Sequence, residues 1–157
     1  MSNEFTANDM FDIAIEIEQN GARFYRRAAN LMDQENYKQF LSSLADMEDD
    51  HEKTFAAMKE QLDGSEAAAT VFDPDNENLP YLKALADTRV FFQKDQPEPS
   101  MKGILTAAIA AEKDSISFYL GMKELVPEKL GRSKVQDIIR EEMGHIQLLA
   151  GKLTEFA

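Results

Sequence analysis

Two histidines occur in the chain, His51 and His145, and each stands three residues after a glutamate, Glu48 and Glu142. On a helix, positions i and i+3 share a face, so both side chains of a Glu-x-x-His pair can reach one point. Carboxylate oxygen and neutral imidazole nitrogen are ligands for divalent cations. Glu18 and Glu112 extend the pattern, because Glu18 precedes Glu48 by 30 residues and Glu112 precedes Glu142 by 30. Four carboxylates and two neutral imidazoles around two doubly charged cations sum to zero.

A shift of 94 residues superimposes the two halves. Ala14, Ile15, Glu18, Phe24, Tyr25, Glu48 and His51 then fall on Ala108, Ile109, Glu112, Phe118, Tyr119, Glu142 and His145. This is the pattern of a duplicated helix pair, and two such hairpins facing one another would gather six ligands about a pseudo-twofold axis.

Four segments carry the 3-4 apolar spacing that helices need to present these groups. They span about 8–32, 34–62, 100–125 and 134–156. Their stripes read Phe11, Ala14, Glu18, Gly21, Tyr25, Ala28; then Tyr37, Leu41, Leu44, Glu48, His51, Phe55, Met58, Leu62. The second pair reads Leu105, Ala108, Glu112, Ser115, Tyr119, Met122, and Val135, Ile138, Glu142, His145, Leu149. Each stripe is apolar except at its centre. Burying ionised carboxylates without a partner is costly, and no Lys or Arg stands at these central positions. Thr6 or Asn8 is expected to cap the first helix, Ser100 the third, and Ser133-x-x-Gln136 has the form of a capping box for the fourth. The second helix is expected to stop at Gly64.

The connection over 64–99 is the long one. Val71–Pro80 has loop composition, and 80–94 can form a short amphipathic helix with Leu82, Leu85 and Phe92 or Val90 inward. Asp73-Pro-Asp75-Asn-Glu77 lacks the Gly and Glu of a calcium loop and is taken as a turn. The expected fold is all-α: one domain over 1–157, a four-helix bundle with one long crossover between helices two and three.

Composition narrows the chemistry. With no Cys among 157 residues, disulfides, thiolate zinc sites, cysteine nucleophiles and Cys-ligated iron–sulfur centres are excluded. The formal charge of −12 argues against nucleic acid or an anionic membrane as partner. No apolar run approaches the ~20 residues that cross a bilayer. MSNEFTANDM has no basic or apolar leader pattern, so no signal peptide is expected and the setting is expected to be cytoplasmic.

At these residues the sequence resembles the ferritin-like superfamily and, within it, the rubrerythrin-type di-iron proteins. The matching motifs are Glu18 with Phe24–Tyr25, Glu48-x-x-His51, Glu112 with Phe118–Tyr119, and Glu142-x-x-His145. The resemblance implies two iron ions per chain, with Mn or Zn as alternatives. It implies Glu48/His51 and Glu142/His145 as ligands mainly to one ion each, with Glu18 and Glu112 completing the set and at least one of these two bridging. Tyr25 and Tyr119 would hydrogen-bond the carboxylates and gate the site. Glu141, Asp46, Asp50 and Asp114 are candidates to orient the histidines, and the sequence does not choose among them.

Two departures qualify the resemblance. Rubrerythrins proper carry a C-terminal rubredoxin domain with a Cys-ligated iron, whereas this chain has no Cys, which implies a separate electron-donor protein such as a rubredoxin. They also carry an extra Glu one turn after the third-helix ligand, where this chain has Ser115. The expected activity is an oxidoreductase that oxidises Fe(II) with peroxide or dioxygen, as a homodimer. The alternatives are a non-catalytic iron-binding or storage module, expected to form a large shell, and a structural helical module whose site holds zinc or nothing.

Overall fold

The computed structural model describes residues 5–64, 78–88 and 99–156. These residues contain five α-helices and no strand: α1 Ala7–Asn30, α2 Glu35–Glu60, α3 Asn78–Thr88, α4 Met101–Leu125 and α5 Arg132–Leu153. The four long helices form a bundle. α1 lies along α2 and α4 along α5, while α3 lies against α4 within the long crossover.

Helix starts follow local chemistry. Thr6 caps α1 reciprocally: its Oγ1 accepts from Asp9 N at 3.2 Å, and Thr6 N donates to Asp9 Oδ2 at 3.0 Å. Ser100 Oγ accepts from Gly103 N at 3.1 Å to start α4. α5 departs from expectation. Its N-cap is Gly131 rather than Ser133, and Ser133 lies inside the helix. After Pro127 the chain makes a 3-10 turn over Glu128–Leu130, and Gly131 at φ 107° enters the left-handed region that glycine adopts at least cost. Arg132 Nε donates to Val126 O at 2.8 Å across this turn, and Gln136 is engaged elsewhere, accepting from Lys123 Nζ at 2.9 Å. At its other end α5 passes into a 3-10 turn over Thr154–Phe156. α2 ends at Glu60, four residues before Gly64.

α3 is described over Asn78–Thr88, and the remainder of the expected 80–94 segment lies outside the described residues. Leu82 is fully buried and Leu85 packs against the core. Val90, Phe92 and the Asp73–Glu77 stretch lie outside the described residues. Gly121 on α4 is needed where α3 crosses: a Cβ there would stand 2.8 Å from Leu82 Cδ2 and 3.1 Å from Tyr81 Cε1.

The core has two apolar blocks with a polar layer between them. One block gathers Met10, Phe11, Phe55, Phe118, Met122 and Ile138 with their neighbours. The other gathers Ala28, Leu41, Leu44, Leu105, Ala108 and Leu149 with theirs. Each buried large side chain contributes about 1.5–3 kcal/mol. The exposed ion pairs that stitch α1 to α2, Arg26 with Asp46 and Asp49 and Lys59 with Asp12, contribute about 0–1 kcal/mol each. Apolar packing therefore fixes the helices on both sides of the polar layer. None of the described helices is long and apolar enough to cross a membrane.

Candidate metal centre

All six glutamates and histidines of the sequence pattern meet in that layer. Glu18, Glu48, His51, Glu112, Glu142 and His145 are each at most 3% exposed. They form two groups whose ligand atoms lie within 4.8 Å of one another: Glu18, Glu48, His51 and Glu142, and Glu48, Glu112, Glu142 and His145. The grouping differs from the one expected. Glu48 and Glu142 belong to both groups, whereas Glu18 belongs with His51 and Glu112 with His145. The shared, central carboxylates are thus those of the two Glu-x-x-His motifs.

The distances agree with this crossed arrangement. His51 Nδ1 is 2.8 Å from Glu142 Oε1, 3.6 Å from Glu18 Oε2 and 3.9 Å from Glu48 of its own helix. His145 Nδ1 is 3.1 Å from Glu48 Oε1, 3.1 Å from Glu142 Oε2 and 3.4 Å from Glu112 Oε1. The two imidazoles stack at 5.8 Å between centroids. In both, Nδ1 is the nitrogen turned toward the carboxylates.

Tyr25 and Tyr119 reach across the bundle. Tyr25 on α1 donates its hydroxyl to Glu112 Oε1 on α4 at 2.6 Å, and Tyr119 on α4 donates to Glu18 Oε1 on α1 at 2.6 Å. Burial first, and the adjoining carboxylates second, push both phenols well above their ordinary range. They therefore stay protonated and donate to these carboxylates. Ser115 is buried and spends its hydroxyl on Ala111 O at 3.0 Å. Of the four candidates for orienting a histidine, Glu141 does so: its Oε2 is 2.5 Å from His51 Nε2.

The electrostatics point to missing positive charge. Burial, then Glu18, Glu142 and Glu112, hold Glu48 well above the usual carboxylate range. Burial, then Glu18 and Glu112, do the same to Glu142. Burial opposes a charged imidazole, yet Glu142 and Glu18 outweigh it and lift His51 to about 11, and Glu112 and Glu142 lift His145 to about 9. Burial would raise Glu112 too, but the neighbouring Glu142, His145 and Tyr25 outweigh it and lower Glu112. Protons are drawn into the layer wherever a carboxylate would otherwise stand uncompensated.

The donor set fits a pair of divalent cations. Glu18 Oε2, Glu48 Oε1, Glu112 Oε2, Glu142 Oε2 and both nitrogens of His145 are buried without a hydrogen bond. Buried polar atoms are rarely left so, and these all line one cluster. The rubrerythrin family model matches residues 9–89, a little over half of the chain, which takes in Glu18, Glu48 and His51. The chain belongs to the rubrerythrin family. A crystal structure from Thermotoga maritima, proposed to be that of a ferritin-like diiron-carboxylate protein, aligns with a TM-score of 0.70 at 27% identity, covering 100% of both chains. The chain matches none of the curated proteins. Glu112, Glu142 and His145 lie beyond the family match, and their burial against Glu48 assigns them to the same site as the first three. This rubrerythrin-family chain is therefore a ferritin-like bundle with a candidate di-metal centre of four carboxylates and two imidazoles.

Proposed function

We propose that the chain is a rubrerythrin-type oxidoreductase that binds two iron ions in this layer and oxidises them with hydrogen peroxide or dioxygen. The observation that carries this reading is a buried set of four carboxylates and two imidazoles with no lysine or arginine among them. Hard oxygen donors suit iron in both its oxidation states. An iron pair, when bound, supplies the two electrons that, with two protons, turn one peroxide into two waters.

The residues supply the setting. Glu48 and Glu142 stand where they can be shared by two ions, and Glu18 with His51 and Glu112 with His145 complete the two ends. Tyr25 and Tyr119 hold one oxygen of each end carboxylate, leaving Glu112 Oε2 and Glu18 Oε2 for an ion. The two apolar blocks exclude water from above and below. A groove of about 670 Å³, lined by Asp50, Thr54, Lys134 and Asp137, leads to His51 and admits a small oxidant. A separate electron donor, such as a rubredoxin, returns the electrons. The working form is a cytoplasmic homodimer.

The test is anaerobic loading with two Fe(II) per chain followed by rapid mixing with H2O2 or with O2, watching the near-ultraviolet absorption of the oxidised ions. A faster rise with peroxide marks a peroxidase, and a faster rise with dioxygen marks a ferroxidase. No rise with either oxidant removes the oxidoreductase reading. Light scattering then separates a dimer from a large shell, the latter favouring iron storage.

A further inference from the structure

The six candidate ligands obey the pseudo-twofold, but their surroundings do not. His51 Nε2 lies 2.5 Å from the carboxylate of Glu141, which stands half-exposed at the rim of the groove between α2 and α5. His145 Nε2 is buried and has no hydrogen-bond partner among the described residues. Shifting Glu141 by 94 residues lands on Met47, whose thioether is a weak acceptor at best. The same shift turns the groove residues Thr54 and Lys134 into Leu148 and Phe40, and Asp50 and Asp137 into Gly144 and Ser43. One histidine thus faces a charged groove with a carboxylate on its outer nitrogen, and the other is sealed at 0% exposure.

Resting on the two-ion reading above, we propose that Glu141 is a positioning residue for His51 and that the two metal positions differ in affinity, the His51 position binding first. Nδ1 of each ring faces the shared carboxylates, so a bound ion takes Nδ1 and the proton stays on Nε2. At His51 that proton is donated to Glu141, which fixes the tautomer, orients the ring and makes Nδ1 a better donor; loss of such a partner typically weakens a metal by 10–100-fold. At His145 no described residue plays this part, so its Nδ1 gains no such help.

The test is a calorimetric titration of the metal-free full chain with Co(II), which takes the same nitrogen and oxygen ligands as Fe(II). The expected result is two steps of unequal affinity, the tighter lost in His51→Ala and the weaker in His145→Ala. Glu141→Ala weakens the tighter step about 10–100-fold and changes the visible absorption of the first Co(II) equivalent, leaving the other step in place. Glu141→Gln, whose amide oxygen still accepts, restores most of the loss. Because Glu141 is half-exposed, its variants keep the helical content of the parent, which circular dichroism checks. Two equal steps, or a tighter step that ignores Glu141→Ala, overturns the proposal while leaving the two-ion centre intact. If the parent binds no Co(II), or both histidine variants still bind two ions, the two-ion reading falls and the proposal with it.

Discussion

The α1–α2 hairpin and the α4–α5 hairpin present the same three ligands and the same tyrosine in the same register, yet they end differently at the histidine. His51 lines a groove edged by Lys134, Asp137 and Glu141, whereas His145 is enclosed. The comparison separates two kinds of constraint. The candidate ligands are constrained by charge balance and cannot drift independently, since each carboxylate altered changes the charge of a dry layer. Groups one contact further out only tune the ligand, and there the halves have diverged, Glu141 against Met47.

The largest expected effect breaks the shared centre. Glu48→Ala removes a carboxylate common to both groups, so metal analysis should find both ions lost, whereas Glu18→Ala should cost mainly the ion on the His51 side. Equal loss in the two variants would contradict the crossed arrangement of carboxylates.

Next come the tyrosines. Tyr25→Phe and Tyr119→Phe each delete a buried donor to a carboxylate, which should lower the unfolding free energy of the metal-free protein by about 1.5–3 kcal/mol in urea titrations. Similar values for the two would place the symmetric part of the site at the phenols. A large difference would move the asymmetry there from the histidines.

The pH dependence of the metal-free protein follows from the raised groups. Folded His51 and His145 hold protons to about 11 and about 9, above the ordinary 6.5. Their stabilising contribution is therefore fully present below pH 6.5 and is lost as pH rises through 9 and then 11. Glu48 and Glu142, also raised, act in the same sense from about pH 4.5 upward; Glu112, lowered, acts oppositely, and its contribution is lost only as pH falls below 4.5. Urea midpoints with chelator should fall between pH 6.5 and 9. With metal bound the trend should reverse, because cations displace those protons. A midpoint that climbs with pH in the metal-free protein would show that the histidines are neutral there.

The smallest effect sharpens the comparison rather than breaking it. Met47→Glu restores at α2 the residue that α5 carries, and the weaker Co(II) step should tighten by up to about tenfold toward the stronger one. No change on titration would mean that the enclosure of His145, not the missing carboxylate, sets its affinity.

Much of this was legible in the residues. The four central breaks in otherwise apolar stripes located the polar layer, since only a compensated charge can occupy such positions. Tyr25 and Tyr119 sit two turns beyond Glu18 and Glu112, which put them near the layer but left open which carboxylate each would meet. Helix periodicity orders residues along one element and is silent on crossing between elements. It therefore gave no sign that Tyr25 bonds Glu112 across the bundle, that Glu48 and Glu142 take the centre, or that Glu141 reaches His51. Ser133-x-x-Gln136 misled for a local reason: the left-handed Gly131 starts α5 earlier, and Lys123 claims Gln136.

The crossed tyrosine bonds bear on where such a chain can come from. Tyr25 of one hairpin finds Glu112 of the other, and Tyr119 of that hairpin finds Glu18 of the first. A half-length peptide folded alone would carry the ligands but leave them unmet. Two copies of that peptide, related by a true twofold, would satisfy every one of these bonds. The long crossover then joins into one chain what two identical halves could form as a pair, and a single chain leaves each half able to differ from the other.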